Sequence, residues 1–287
     1  MKRRDFGYDG VSRSIFNMDS NLSYIQLSNV QVGVAAALIV VNGAVSIALR
    51  LGMGKLLLLA AVRTVVQLTL IGFVLQWVFA IDRWYVVLAL LAVMTVIAGV
   101  SAVRRTEHRY AGIYANSLVM VWASSWAMAA VAVSLILTDA GRWYEPQYSI
   151  PLLGMILGNS LNGVSLGLNS FTQQLVDRRD QVELRLALGA TRWEAAHGVV
   201  RQAVRTGMIP TINSMMVVGI VSLPGMMTGQ LLAGVAPIDA VKYQIVIMFL
   251  IASATAAGTA GVVMLGYRRL FNRRHQFLFD RLTSTED

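Results

Sequence analysis

The longest charged interval in this otherwise apolar sequence is Asp177–Pro210, DRRDQVELRLALGATRWEAAHGVVRQAVRTGMIP, which we call the charged stretch. Its charged and apolar residues are mixed in a way typical of an amphipathic helix on a membrane surface. Gly189 can end one helix, and Thr191 can begin the next because Glu194, three residues later, completes a capping box. The charged stretch therefore predicts helix, turn, helix.

Around this stretch the composition is that of a membrane protein. Of 287 residues, 56% are hydrophobic and 14% charged, whereas a soluble domain carries about 25% charged residues. The apolar runs are long enough to cross a bilayer core of about 30 Å. We therefore predict an all-α polytopic membrane protein with about seven spans. The predicted spans are 27–49, 56–80, 84–103, 115–137, 150–168, 208–233 and 242–266.

Three regions follow from this reading: a polar N-terminal segment (1–26), a single transmembrane domain (27–266) and a basic tail (267–287). The basic residues concentrate between spans one and two, three and four, five and six, and in the tail. By the positive-inside rule these parts are cytoplasmic, so the tail is inside and the N-terminus outside. The same rule explains the net charge of +9 without a nucleic-acid partner.

The N-terminal segment conflicts with this topology, because its four basic residues (Lys2, Arg3, Arg4 and Arg13) would lie outside. We therefore hypothesise that translation starts at Met18, which removes all four. N-terminal sequencing of the natively expressed protein tests this, and a start at Met1 contradicts it.

The fifth span carries polar side chains at helical spacing: Asn159, Asn162, Ser165 and Asn169 recur at intervals of 3, 3 and 4. They occupy an arc of about 120°. Because amides in hydrocarbon need partners or water, this side either lines a translocation pathway or bonds to neighbouring helices. In the seventh span, the small residues of 252–261 predict close helix contact.

The sixth span has a similar polar side and then a helix break. Thr211, Met215, Gly219 and Ser222 recur at intervals of 4, 4 and 3. The break follows at residues 222–229, and we add its Pro224, Met226 and Met227 to the pathway candidates because non-helical backbone at membrane depth lines a cavity or is buried. Methionine sulfur is a soft metal ligand, but methionine is also an adaptable packing residue.

In the second span, Arg63 and Gln67 lie four residues apart and so on one helical face. An arginine about 12 Å into a membrane helix is costly, which makes the pair secondary pathway candidates. The alternative is that residues 51–63 form an interfacial elbow from which Arg63 reaches the headgroups.

The missing motifs narrow the function further. The chain has no cysteine and no GxxxxGK[ST] loop, and its three histidines fall outside the predicted spans. No Asp or Glu lies in the middle of a span, so a hard-cation site is difficult to build within one subunit. We expect no cofactor in this chain and no catalytic residues, and the residues leave any metal ligands unknown.

Five stretches resemble the FetB-like permeases: Pro151–Asn159 (PLLGMILGN), Leu188–Thr191 (LGAT), Ile209–Ser214 (IPTINS), Val218–Gly229 (VGIVSLPGMMTG) and Ala240–Ile245 (AVKYQI). These are bacterial ABC transporter membrane subunits associated with iron export and related to plant aluminium-tolerance transporters. The resemblance covers roughly Asn21 to the tail.

The resemblance implies a homodimer in the bacterial inner membrane that works with a separate cytoplasmic ABC ATPase, which holds ATP and magnesium. It implies export of iron or a related metal. The ATPase is expected to contact a coupling segment consisting of Glu183, Leu186, Ala187, Leu188, Gly189, Ala190 and Thr191.

Two other functions fit the sequence. A stand-alone secondary transporter or channel would transport from liposomes without any ATPase. A non-transporting scaffold for a cytoplasmic partner would tolerate changes such as Asn162→Leu without any effect beyond stability.

Overall fold

The computed structural model describes residues 28–81, 83–136 and 144–284. The proposed start at Met18 and the polar N-terminal segment lie outside these ranges. The described residues form nine α-helices and one short two-stranded sheet. The helices are α1 (Asn29–Ala48), α2 (Gly54–Ile81), α3 (Trp84–Arg104), α4 (Ile113–Ile136), α5 (Pro146–Asp177), α6 (Arg179–Ala187), α7 (Arg192–Val217), α8 (Gly225–Leu232) and α9 (Pro237–Leu270).

The predicted class, an all-α polytopic membrane protein, is confirmed. Six helices of the described chain (α1 to α5 and α9) are long and apolar enough to cross a membrane. The exception among the long helices is α7, because most of it belongs to the charged stretch. The sheet pairs β1 (His108–Tyr110) with β2 (Leu282–Ser284) in antiparallel register.

The chain divides into two compact units, and the boundary falls within α2. The first comprises Met1–Gln76 and Gly229–Ala236, and the second Trp77–Thr228 and Pro237–Asp287.

In the first unit, α1 and α2 are joined by a tight turn. Ser28 and Gln31 form a capping box that starts α1. At its other end, the backbone N–H of Met53 donates to the Ser46 hydroxyl at 3.1 Å, which fixes the turn into α2. Most large apolar side chains of both helices are exposed, as expected for helices surrounded by lipid.

Helix directions in the second unit follow from side-chain contacts. The Ser117 hydroxyl donates to the Gly99 carbonyl and the Trp126 indole to Thr95, so α3 and α4 are antiparallel. Close approaches of Gly258 to Ser124 and of Gly261 to Met120 make α9 antiparallel to α4. One end of the unit therefore holds the end of α3, the start of α4 and the end of α9.

Glycines let α5 and α7 approach backbone to backbone and let threonine side chains of α9 pack against both. A Cβ on Gly207 would lie 2.5 Å from the Gly163 carbonyl and 2.6 Å from the Thr259 methyl group. A Cβ on Gly167 would also meet Thr259 and lie 3.4 Å from the Ala203 carbonyl. The order of these contacts makes α5 parallel to α9 and antiparallel to α7. The close contact predicted for the small residues of the seventh span is thus present at Thr259.

All the basic connections of the second unit consequently lie together. The end of α3, the charged stretch and the residues after α9 share one end of the unit, which we call the charged end. Charge counting placed these three segments on one side of the membrane, and helix packing independently puts them side by side.

The predicted sixth span differs from the structure at its start. We expected a surface segment to end and a span to begin near Met208–Pro210, but α7 continues through Pro210 to Val217. Proline removes one backbone donor without stopping this helix, because α7 is packed against α5 and α9, with buried residues on every turn from Ala195 to Thr211. The non-helical break lies at residues 218–224, before α8, rather than at 222–229.

Candidate functional site

The turn between α6 and α7 is a tightly specified helix end. Gly189 has a φ of +91°, a left-handed conformation that favours glycine. Its N–H donates to the Leu186 carbonyl at 3.1 Å, and the N–H of Ala190 donates to the Arg185 carbonyl at 3.0 Å. These two bonds form a Schellman motif, which satisfies the last carbonyls of α6. The helix, turn, helix prediction for the charged stretch is confirmed.

Immediately after this turn, Thr191 and Glu194 form the predicted capping box. The Thr191 hydroxyl accepts from the Glu194 N–H at 3.3 Å, and the Glu194 carboxylate accepts from the Thr191 N–H at 2.7 Å and its hydroxyl at 2.8 Å. These bonds hold the pKa of Glu194 below its usual value, with the nearby His275 adding a smaller contribution. The start of α7 is therefore well defined.

Apolar side chains project from this turn into solvent. Leu188 is 79% exposed and Leu184 60% exposed, whereas Val182 is buried. Of the predicted coupling residues, only Leu186 and Ala190 are partly buried, and Glu183, Ala187, Leu188, Gly189 and Thr191 are exposed. Because the Schellman motif and the capping box already fix the turn, it can present Leu188 to another protein without rearranging.

The chain after α9 braces the charged stretch, which the sequence reading missed. The His275 ring nitrogen Nδ1 accepts from the N–H of Arg192, the first residue of α7, at 2.9 Å. At the start of α6, the Arg179 guanidinium lies 4.0 Å from the centre of the Phe279 ring. A row of aromatic contacts joins these points: Trp193, Tyr267, Phe271, Phe277 and Phe279 follow one another at 5.0–5.9 Å between ring centres.

The predicted polar side of α5 is used mainly for contacts with the loop after α3. The Asn162 side-chain oxygen accepts from the Arg105 guanidinium at 3.0 Å, and that of Asn169 accepts from the Glu107 N–H at 3.0 Å. Ser165 is buried, and the Asn159 side chain donates to the Met155 carbonyl of its own helix. For Asn162 and Asn169 the structure favours the alternative of bonding to neighbouring elements.

The predicted polar side of the sixth span is helical only in part. Thr211 is buried and Met215 half-buried on α7, but Gly219 and Ser222 lie beyond its end. There the Gly219 N–H donates to the Ser222 carbonyl at 2.8 Å, and Gly219 has a φ of +81°. The shared helical face inferred for these four residues is therefore wrong beyond Val217. Pro224 accepts from the Thr228 N–H and begins α8.

The end of α7, the break, α8 and α9 border an open cavity of about 380 Å³, which we call the methionine cavity. Three predicted residues (Met215, Gly219 and Met227) line it. Two further polar or polarisable residues come from α9: Gln244 and Met248. The Gln244 side-chain oxygen is buried and has no hydrogen-bond partner among the described residues. An amide inside an apolar run was the sequence signal that could have identified it.

The remaining pathway candidates lie elsewhere. Met226 packs against the apolar cluster of α4, α5 and α9 and does not line the methionine cavity. Arg63 and Gln67 are exposed on α2. That helix is continuous from Gly54 to Ile81, about 42 Å long, and therefore exceeds the bilayer core by about 12 Å. No separate elbow precedes Arg63.

The described residues contain no cluster of three or more His, Asp or Glu side chains that could hold a metal ion. The methionine cavity instead combines thioethers, which suit soft metals, with one amide oxygen and apolar walls.

Residues 29–271 match the uncharacterised protein family UPF0014, which is most of the chain. The chain belongs to the UPF0014 family. The match ends one residue beyond α9, so it includes the charged stretch and the methionine cavity of this UPF0014 chain.

Curated relatives of this UPF0014 chain come from bacteria and plants. The UPF0014 membrane protein slr1647 of Synechocystis is 41% identical over 77% of this chain and 85% of its own length. The "Probable iron export permease protein FetB" of Escherichia coli is 30% identical over 89% and 97%. Protein ALUMINUM SENSITIVE 3 of Arabidopsis thaliana is 31% identical over 84% and 88%. No solved structure matches the UPF0014 chain. The predicted resemblance to the FetB-like permeases is confirmed.

Proposed function

We propose that this chain is the membrane permease subunit of an ABC transporter that exports iron or a related metal. ATP and magnesium are bound by a separate cytoplasmic ATPase, and the permease works as a homodimer in the bacterial inner membrane with its charged end in the cytoplasm. The relative named as an iron export permease supports the substrate class. The basic residues at the charged end support the orientation.

The observation that carries this proposal is the turn at Leu188–Thr191. It presents the exposed Leu188, next to the exposed Leu184 of α6, at the charged end and away from the apolar cluster of the spans. From Asn162, which bonds to the end of α3, α5 continues for 15 residues, about 22 Å, toward this turn. A short amphipathic element that projects beyond the membrane helices is suited to enter a groove on a partner.

The same turn is joined to the methionine cavity by one uninterrupted helix. From Arg192 to Met215, α7 is about 35 Å long. A displacement that the ATPase imposes on the turn is therefore passed along α7 to the wall of the cavity. The close contacts at Gly207 guide this movement, because the α5 backbone and the Thr259 side chain of α9 lie directly against this glycine.

The chemistry of the methionine cavity suits a metal that is held weakly or carried as a complex. Thioethers and one amide supply no negative charge, so a bare hard cation would lose its hydration without compensation. This is the property expected of a transport site, which has to release its substrate.

Docking can be tested by co-purifying this chain with candidate ABC ATPases and measuring binding. Leu188→Asp places a charge on the exposed turn and should abolish binding while leaving the thermal midpoint of the permease unchanged. Gln202→Asp, an exposed position on α7 away from the turn, adds the same charge and should bind normally. Equal binding by both variants would remove the turn as the docking site.

Transport can be tested in liposomes that contain the permease and its ATPase, by measuring iron-stimulated ATP hydrolysis. Combined Met215→Leu, Met227→Leu and Met248→Leu should lower the stimulation at least several-fold. Met216→Leu is the matched control, because this neighbour of Met215 is 72% exposed. Ion-driven transport by the chain alone would instead support a stand-alone transporter. Full ATPase binding with no transport of any metal would support the scaffold.

A further inference from the structure

A large basic cavity lies at the charged end, separate from both the turn and the methionine cavity. Its volume is about 740 Å³, and it is bounded by β1, the first turn of α4, the end of α9 and the residues that lead into β2. We call it the arginine cavity. Three arginines line it (Arg109, Arg269 and Arg281), and among the described residues Asp280 is its only acidic lining residue.

Two of the three guanidinium groups, those of Arg281 and Arg109, have defined neighbours, and Arg269 is exposed. The Arg281 guanidinium donates to the Arg269 backbone carbonyl at 3.3 Å, which fixes one side of the cavity. The Arg109 guanidinium lies 5.9 Å from the Tyr114 ring centre, and its Nε is buried with no hydrogen-bond partner in the part of the chain that the structure describes. A buried guanidinium nitrogen without an acceptor favours an anionic ligand.

The backbone adds donors at the same place. Gly112 precedes α4 with a φ of +86°, and the Arg269 guanidinium lies 3.8 Å from the position that a Cβ on Gly112 would occupy. The first-turn N–H groups of α4 have no partner within the helix, so they and the helix dipole also favour an anion. Arg269 and the start of α4 therefore act on the same space.

A second cavity of about 580 Å³ shares Arg269 and Arg281 and is lined in addition by Arg192, Arg268 and Arg273. No acidic residue lines it within the described chain. The six arginines around these two neighbouring cavities face one carboxylate, and like charges repel unless a counter-charge is present.

We propose that the arginine cavity binds a phosphate-bearing anion, with Arg109, Arg269 and Arg281 as its charged ligands. Planar guanidinium groups match two phosphate oxygens at once. The cavity lies where the spans α4 and α9 leave the apolar layer, which is the depth of phospholipid headgroups. The phosphate can be that of an anionic lipid or of a soluble compound, and the experiment below separates the two.

The test uses the purified full-length chain in nanodiscs. One arm compares phosphatidylglycerol with phosphatidylcholine bilayers, measuring retained lipid by mass spectrometry and the thermal midpoint. The other titrates inorganic pyrophosphate into phosphatidylcholine nanodiscs. Saturable binding in the first arm assigns the site to a lipid headgroup, and saturable binding only in the second assigns it to a soluble phosphate. Binding in neither arm overturns the proposal.

The triple variant Arg109→Gln, Arg269→Gln, Arg281→Gln should weaken binding by at least about tenfold, because each lost charge-assisted bond can account for that factor. The control variant removes the same charge from three exposed positions: Arg104→Gln, Arg201→Gln and Arg205→Gln. It should weaken binding less than threefold. Arg→Lys changes at the three cavity positions keep the charge and should give an intermediate loss. If the triple variant with glutamine and its control lose binding equally, the phosphate is attracted by the overall positive charge and is not bound at a site.

Two acidic residues of the chain itself, Glu286 and Asp287, follow β2 closely in sequence. Their carboxylates are the competitors to test against a phosphate in the arginine cavity. A chain ending at Ser284 should bind like the full chain. If only the shortened chain binds the probes, the C-terminal carboxylates are the occupant and the proposal is overturned.

Discussion

The two ends of α7 are built in opposite ways. At its start, a Schellman motif, a capping box, His275 and a row of aromatic rings hold the helix in place. Beyond its other end, a single turn closes at Gly219, and Ile220 and Val221 are 86% and 79% exposed. The braced end carries the exposed turn, and the unbraced end forms one wall of the methionine cavity.

This difference indicates how α7 can serve both the exposed turn and the methionine cavity. A force applied to the braced end cannot be absorbed locally, because unmaking the caps and aromatic contacts costs several kcal/mol together. The unbraced end has fewer contacts to break, so it is where displacement of α7 changes the structure. Substitutions at either end of α7, or in the middle that connects them, test this difference.

The largest effect is expected at the middle of α7, where both ends are joined. Gly207→Ala places a Cβ 2.5 Å from the Gly163 carbonyl, and backbone cannot move aside as a side chain can. We expect a loss of about 2–3 kcal/mol in the free energy of unfolding in detergent.

The control is Gly198→Ala on the same helix, where a Cβ meets no atom within 4 Å. It should stabilise the protein by up to about 1 kcal/mol, because alanine is the better helix former. Effects of the same sign for the two glycines would contradict the packing of α5, α7 and α9.

The next effect compares the two left-handed glycines. Alanine in this conformation costs about 1–2 kcal/mol, and neither Gly189 nor Gly219 has an atom within 4 Å of its Cβ position. Gly189→Ala should lower stability by that amount, because its Schellman bonds leave no other conformation available. In Gly219→Ala the backbone beyond α7 should relax, so the loss of stability should be smaller. This variant should instead change iron-stimulated ATP turnover. Equal stability losses would show that the two ends are equally rigid.

Loss of the α7 cap is expected to have a smaller effect. Thr191→Ala removes the side-chain acceptor for the Glu194 N–H and should cost about 1 kcal/mol. Thr191→Ser retains the acceptor and should be close to wild type in a chemical-denaturation series. A similar loss in both variants would mean that the methyl group, not the hydrogen bond, stabilises this end.

The pH dependence of the same cap should be the smallest effect. The pKa of Glu194 is lowered by its bonds from Thr191, so the stabilisation is complete above the unfolded carboxyl value, about pH 4. It is lost as the pH falls through the lower folded value. Thermal midpoints between pH 6 and pH 3 should fall more in wild type than in Glu194→Gln. Parallel curves would exclude this contribution.

Much of the local structure followed from the sequence alone. The capping box at Thr191, the glycine turn at Gly189 and the short connection between α1 and α2 each depend on residues within a few positions of one another. Span lengths depend only on the number of apolar residues needed to cross hydrocarbon. Charge counting correctly grouped the three basic segments, because the membrane sorts charge by side.

Tertiary structure decided which residues meet. The spacing of Asn162 and Asn169 indicated a polar face, but only packing showed that the loop after α3 covers it. Met215 and Met227 line the methionine cavity, Met226 packs against the apolar cluster, and Met248 joins the cavity from another helix. Residues that touch across 50 or more positions leave no local pattern, because such contacts depend on helix directions and on glycines that permit close approach. For the same reason, a tail that reads only as basic folds back to brace the charged stretch.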